Sequence, residues 1–492
     1  MTVHSPPDAG PPGGLSGPPA GDAPGTWPEA ARRGVEWAGL AVVWILVGWL
    51  LGVELAGFLI LGVPLAAIFQ LVVRRRPLRL LWAPDTTTVA RRRSGKFAVA
   101  AVLVGVVVAG VVQSTGSWLD DSWTVLLMVA VLLVSYALGR RLFVALSVAA
   151  LVVVAATGVL APRLAAERTG DPDLLAMLED QQNVGLLAGF HDLAVAEIDL
   201  GNDEIVRSAS VGDLTSTTPV EIGSVTKALT GLLIADSVQR GELRLDAPVS
   251  TYLPQLQGSP AGAVTMHELV THTAGYADFG AATLRRAFLN GPVGGDWLTA
   301  DQDQLLAEVR GGDLDARGSY SYSSLGAATA GQATANAAGM TYADLMRTRL
   351  FQPLAMRDTT LQTERSLVAD GRSPSGLPVQ PWIFDAYAPA GAVVSTTHDL
   401  AILATALLDG TAPGTDAMTP IQRSDPSNTS IGMLWRVSTW QTGQTITWHT
   451  GETAGYTAYF ALDRDNGRAV IAVSDVGKDV SDIGSRLLAQ RQ

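Results

Sequence analysis

Between Trp37 and Val73 this chain carries one ionisable residue, Glu54, and three more apolar runs follow at Phe97–Gln113, Thr124–Leu138 and Leu142–Ala161. Helices buried inside a soluble domain keep a polar stripe on one side, and none of these runs has one. A bilayer is the solvent that such text fits. Residues 37–73 exceed the roughly 20 residues that one span needs and suit two spans turning near Gly52–Glu54. About five transmembrane helices are therefore expected within 35–161. Charge sets their orientation. Arg32 and Arg33 precede the first span, Arg74 to Lys96 fill the loop after the second, and Arg140 with Arg141 separate the fourth from the fifth. Glu54 and the pair Asp120–Asp121 occupy the alternate turns. Positive loops stay in the cytoplasm, so the N-terminus is expected inside and everything after residue 161 outside.

The remainder divides by composition. Residues 1–34 begin with a Pro/Gly-rich stretch almost devoid of apolar side chains, which reads as a disordered tail and not as a signal peptide. Residues 162–182 read as a polar linker, and 183–492 as a globular domain. Residues 1–161 hold 12 basic and 8 acidic residues, against 22 and 38 in residues 162–492. An acidic domain lacks the basic footprint that phosphate backbones require, which excludes nucleic acid as its ligand. The chain has no cysteine, so thiolate metal sites and disulfides are unavailable.

Within the domain, Leu193–Leu200 and Glu204–Ala209 flank Gly201-Asn202 as a hairpin. Val225–Arg240 has the pattern of an amphipathic helix ended by Gly241. Thr445–His449, Tyr456–Leu462 and Ala469–Ser474 read as strands, and Asp482–Gln490 as a closing helix. Strands at both ends with helices between them predict an antiparallel sheet flanked by helices, an α+β arrangement.

Chemistry concentrates in three short stretches. Ser224 and Lys227, in Glu221-Ile-Gly-Ser-Val-Thr-Lys227, are three apart at a helix start and share a face. A serine hydroxyl needs a proton acceptor to become a nucleophile, and a neutral lysine can supply it, whereas arginine keeps its proton. Lysine occurs only at 96, 227 and 478 in a chain that otherwise uses arginine, which makes Lys227 informative. Alone, the spacing also fits an N-capping serine with a surface lysine. Tyr322 lies in Ser321-Tyr-Ser-Ser-Leu-Gly326, where a phenol could relay a proton. His449, Thr450 and Gly451 end a strand at a glycine, where backbone can approach a ligand closely. His267-Glu268-Leu-Val-Thr-His272 is one residue too long for a zinc-binding H-E-x-x-H helix, so no metal is expected there. The G-x-S-x-G elbow of α/β-hydrolases does not occur.

In this order the three stretches form a pattern that resembles the serine β-lactamase-like superfamily, in its class C β-lactamase, esterase and D,D-peptidase branch. Further stretches carry the resemblance: Gly241–Pro254 (GELRLDAPVSTYLP), Val264–Gly275 (VTMHELVTHTAG), Pro389–Ser395 (PAGAVVS) and Gly455–Leu462 (GYTAYFAL). It covers roughly residues 183–490. It implies that the multi-pass helical membrane region read above is followed by an α+β serine β-lactamase-like domain with a helical subdomain. It also implies an acyl-enzyme on Ser224, with Lys227 or Tyr322 as the base and Tyr322 as the proton donor to the leaving group. The backbone N–H groups of Ser224 and Glu452 would form the oxyanion hole, and Ser324, His449, Thr450 and Gly451 would contact substrate. No cofactor is implied. The expected partners are a small-molecule or peptide substrate and the lipid bilayer; nothing identifies a protein partner. Two departures bear on specificity. The family's Y-x-N is here Tyr322-Ser323-Ser324, and its K-T-G is here His449-Thr450-Gly451. Both are expected to weaken β-lactam recognition relative to esters and peptides. The alternative implied function is a penicillin-binding sensor that acylates without turning over.

Overall fold

The structure, a computed structural model, describes residues 162–201, 205–290, 297–374, 376–423 and 429–489. The five expected spans at 35–161 and the tail at 1–34 lie outside the described residues. Among the described residues no helix is long and apolar enough to cross a membrane.

An antiparallel sheet organises the domain. Its strands are β1 (Arg168–Gly170), β2 (Leu193–Asp199), β3 (Ile205–Val211), β4 (Gln422–Arg423), β5 (Thr429–Ile431), β6 (Arg436–Thr439), β7 (Thr445–Glu452), β8 (Thr457–Asp463) and β9 (Arg468–Ser474). In space they run β1-β3-β2-β9-β8-β7-β6-β5-β4. The first hairpin and the last strands therefore meet at the centre, where Leu193 pairs with Ser474 and Asp199 with Arg468. Strand alternation sorts side chains between two cores. On β9, Val470 and Ala472 join one core while Ala469, Ile471 and Val473 join the other.

One face is covered by helices α1 (Pro172–Asn183) and α5 (Ser481–Ala489), through Leu174, Leu178, Ile483, Leu487 and Leu488. The expected polar linker at 162–182 is thus corrected: β1 pairs with β3 and α1 belongs to the domain. Its signals were local. Asp171 caps the helix by accepting from the N–H groups of Asp173 and Leu174, Pro172 stands at the first turn, and Leu174 and Leu178 are spaced to share one face.

The other face carries α2 (Val225–Gln239) and α4 (Thr397–Leu408), and α3 (Ser324–Ala337) packs against α2. Helix α2 is buried all round from Val225 to Ser237, so it is a central post and not the amphipathic surface helix that its text suggested. Close approach is possible because its contacts are small: a Cβ on Gly231 would meet the Met433 carbonyl oxygen at 1.9 Å. Helix α3, with Met266–Val270, Gln302–Gly311 and Tyr342–Met346, makes up the helical subdomain against α2. The expected strands and closing helix are present, each within a few residues of its predicted bounds.

Candidate active site

The site forms where the N-terminus of α2 meets the end of β7. Strand Val220–Glu221 leads into Gly223, whose φ of +48° turns the chain into the helix with Ser224 at its cap position. Glycine is required here, because a Cβ would lie 2.6 Å from the Glu452 nitrogen. Gly451 on the facing strand is equally constrained: its Cβ would lie 1.8 Å from the Ile222 carbonyl oxygen and 3.0 Å from the Ser224 nitrogen. Two glycines thereby bring the backbone nitrogens of Ser224 and Glu452 to one spot at a helix N-terminus, an electropositive place for a developing oxyanion.

One turn along α2, Lys227 is 1% exposed, and its ammonium donates to Ser224 Oγ at 2.8 Å and to the Ala390 carbonyl at 2.9 Å. No carboxylate neutralises it among those contacts. The Lys227 Nζ stands 5.0 Å from the Tyr322 ring centre, so serine, lysine and phenol are gathered as the motifs suggested. The Tyr322 ring lies 6.4 Å from that of His449. His449 is 2% exposed and its Nδ1–H donates to the Thr450 carbonyl at 2.5 Å. Burial, reinforced by the positive charges of Arg436 and Lys227, holds its pKa well below the usual histidine value. Ser324 begins α3, is 5% exposed and borders the cleft beside Ser224. The Thr450 side chain makes no hydrogen bond to the other site residues among those described.

Two site residues escaped the sequence reading. His272, set aside as half of a failed zinc motif, leaves the short helix Met266–Val270 and adopts φ +58°. It is buried, its Nδ1 accepts the Ser323 N–H at 3.1 Å, and its ring packs 4.8 Å from that of Tyr322. Burial, with Lys227 and Arg436 nearby, drives its pKa down to about 3, so it is a neutral acceptor that fixes the tyrosine loop. The second is Arg436, on β6 opposite Trp448. Its guanidinium lies 5.7 Å from the Tyr322 ring centre and 5.1 Å from that of Trp448, and it reaches the Tyr320 hydroxyl at 3.5 Å. It has no carboxylate partner among the described residues. One arginine in an arginine-rich chain gives no signal until the sheet brings β6 beside β7.

An antiparallel sheet with a buried central helix headed by Ser-x-x-Lys, and a tyrosine facing a strand that ends in glycine, defines the serine β-lactamase-like class of fold. The chain belongs to the Beta-lactamase family, whose model matches residues 186–490. It is 32% identical over 238 residues to a penicillin-binding protein 4 from Amycolatopsis lactamdurans, covering 46% of this chain and 58% of that protein. It is 30% identical over 195 residues to a β-lactamase from Escherichia coli (strain K12), covering 38% of this chain and 47% of that one. The chain thus spans about half the length of these curated relatives. Among solved structures, a D-stereospecific amidohydrolase from Streptomyces sp. superimposes with a TM-score of 0.56 at 21% identity, covering 64% of this chain and 99% of that one. That likeness is one of fold.

Proposed function

We propose that this chain is a membrane-anchored serine hydrolase that forms an acyl-enzyme on Ser224 and acts, outside the cytoplasm, on peptides or esters whose departing half carries a carboxylate. The observation that carries the chemistry is the 2.8 Å contact between a fully buried lysine and Ser224 Oγ. In its neutral form Lys227 takes the hydroxyl proton as Oγ attacks the carbonyl carbon, and the oxyanion is held by the Ser224 and Glu452 N–H groups. Tyr322 passes a proton to the leaving atom as the bond to it breaks. Water then enters from the same side and gives a proton to Tyr322 as its oxygen attacks the acyl carbon, and Lys227 returns its proton to Ser224 Oγ as that bond breaks and the acid leaves.

Arg436 supports the substrate class. With K-T-G replaced by His449-Thr450-Gly451 the third motif has no lysine, and burial holds the His449 pKa well below the usual histidine value. The unpaired guanidinium beside Tyr322 restores a positive charge on the flank from which the leaving group departs. A planar fork between two aromatic rings suits a carboxylate. The test is a depsipeptide offered with a free terminal carboxylate and as its carboxamide. The carboxylate form should be preferred about 10- to 100-fold, the contribution of one charge-assisted hydrogen bond, and Arg436→Gln should erase the preference. Equal turnover of both forms by the unaltered chain would remove the carboxylate from the proposal.

The apolar runs and arginine-rich loops of residues 35–161 support the anchoring and the orientation. Alkaline phosphatase fused at Gln492 should be active in cells, and a fluorescent protein fused there dark. A fluorescent fusion with no phosphatase activity would reverse the topology.

A further inference from the structure

We propose that the half of the substrate retained on Ser224 is apolar and aromatic, held by a wall of rings in a cleft beside the nucleophile that Tyr322 does not line. The inference rests on the acyl-enzyme reading above. Beside Ser224 and Lys227 the cleft is lined by Phe279, Leu298, Trp382, Phe384 and Tyr387, with the exposed Glu452 as its one acidic lining residue among those described. Tyr322, His272, His449 and Arg436 do not line it; they cluster around the Tyr322 ring, 5.0 Å from Lys227 Nζ. A leaving group must depart toward its proton donor. The ringed cleft is therefore left for the acyl half.

The wall is built before any substrate arrives. Tyr387 and Phe279 have ring centres 6.0 Å apart, Phe279 meets Trp297 edge-on at 5.0 Å, Trp297 meets Trp382 at 5.1 Å, and Trp382 meets Phe384 at 6.1 Å. Three of these four contacts are edge-to-face and fix each ring by its neighbours, and they border a narrow cleft of about 40 Å³ that an acyl group enters from its open side. The polar end of Tyr387 is tied elsewhere. The Tyr387 hydroxyl donates to Glu308 Oε2 at 2.6 Å and accepts the Gly280 N–H at 3.3 Å, which leaves its ring to the cleft. The Trp382 backbone N–H donates to Glu221 Oε1 at 2.8 Å, and Glu221 Oε2 accepts the Thr453 hydroxyl at 2.7 Å, which fixes the main chain from which that ring projects. One buried carboxylate thus couples the tryptophan to the residue that follows Glu452. Phe384 rests against Gly391, where a Cβ would lie 2.3 Å from its ring. A charged acyl group would lose its water here without a matching charge beyond Lys227, whereas a phenyl group exchanges water for ring contacts.

The experiment uses the purified full chain and the acetyl, hexanoyl and phenylacetyl esters of 3-hydroxybenzoic acid, which share one carboxylated leaving group. Phenylacetyl should exceed acetyl in kcat/KM by at least about tenfold, the scale on which an apolar pocket discriminates. Trp382→Ala should bring the phenylacetyl-to-acetyl ratio toward one. Leu298→Trp, which fills the cleft while keeping it apolar, should do the same if the first variant does not fold. A ratio near one in the unaltered chain, or a ratio unmoved in a folded variant, overturns the inference and leaves the acyl-enzyme reading standing. Failure of every ester and of a fluorophosphonate to label Ser224 sinks both.

Discussion

Labelling of the full chain by a fluorophosphonate should vanish in Ser224→Ala and fall by about 10²- to 10⁴-fold in Lys227→Arg, the range that a positioned general base contributes. The arginine variant is the informative one. It keeps a positive charge near the position that now donates to Ser224 Oγ and the Ala390 carbonyl. What it loses is the ability to exchange a proton. Circular dichroism would establish that both variants fold. If Lys227→Arg labelled within tenfold of the unaltered chain, the lysine would be an electrostatic partner and the base would have to be sought at Tyr322. The pH profile gives a second reading of the same step. His272 titrates near 3 and His449 well below its usual range, both because burial disfavours the charged ring. Neither should contribute a limb to the rate between about pH 5 and 8, where an unperturbed histidine would.

Gly451→Ala should lower kcat by about 10²- to 10³-fold, the loss that accompanies removal of one oxyanion donor, or about 2.7–4 kcal/mol. A single methyl group has this reach because it would stand 1.8 Å from the Ile222 carbonyl oxygen and 3.0 Å from the Ser224 nitrogen, and backbone atoms cannot rotate away. Strand β7 must move off the helix, and the Glu452 N–H moves with it. Gly311→Ala is the matching control, since nothing lies within 4 Å of a Cβ there. Single-turnover acylation kinetics would check both. A Gly451→Ala enzyme that kept more than half its kcat would mean that the Glu452 nitrogen does not hold the oxyanion.

The parts of the site that were legible in the sequence are those in which chemistry and local structure coincide. Ser224 and Lys227 stand one helical turn apart, and Gly451 interrupts a strand, so spacing put the first two on one face, and the resemblance carried by the further motifs gave the three a functional reading. The missed parts depend on tertiary geometry. His272 looked like a misplaced zinc ligand because helical periodicity was applied to it, whereas the helix ends at Val270 and the histidine turns into a left-handed conformation. Arg436 needed the β6–β7 pairing, and the aromatic wall draws Phe279, Trp297, Trp382 and Tyr387 from separate segments. The misread linker at 162–182 failed for another reason. A mostly polar helix with a narrow stripe of Leu174 and Leu178 looks like a connector until the sheet supplies the face it covers.

The pairing of β2 with β9, from the first and last parts of the domain, also governs when the site can form at all. Ser474 Oγ donates to the Asp192 carbonyl across 282 positions of sequence, and the close packing of Gly223 and Ser224 against Gly451 and Glu452 spans the sequence in the same way. At about 5–20 residues per second a ribosome takes roughly 15–55 s to make the intervening chain. Throughout that interval the inner edge of β2 and the apolar side chains of α2 await partners not yet synthesised. Maturation is therefore all-or-none: a nascent chain cut short before β9 has its nucleophile but no closed sheet behind it. A cell must shelter that intermediate, or deliver it across a membrane unfolded, before the last strand is laid in place.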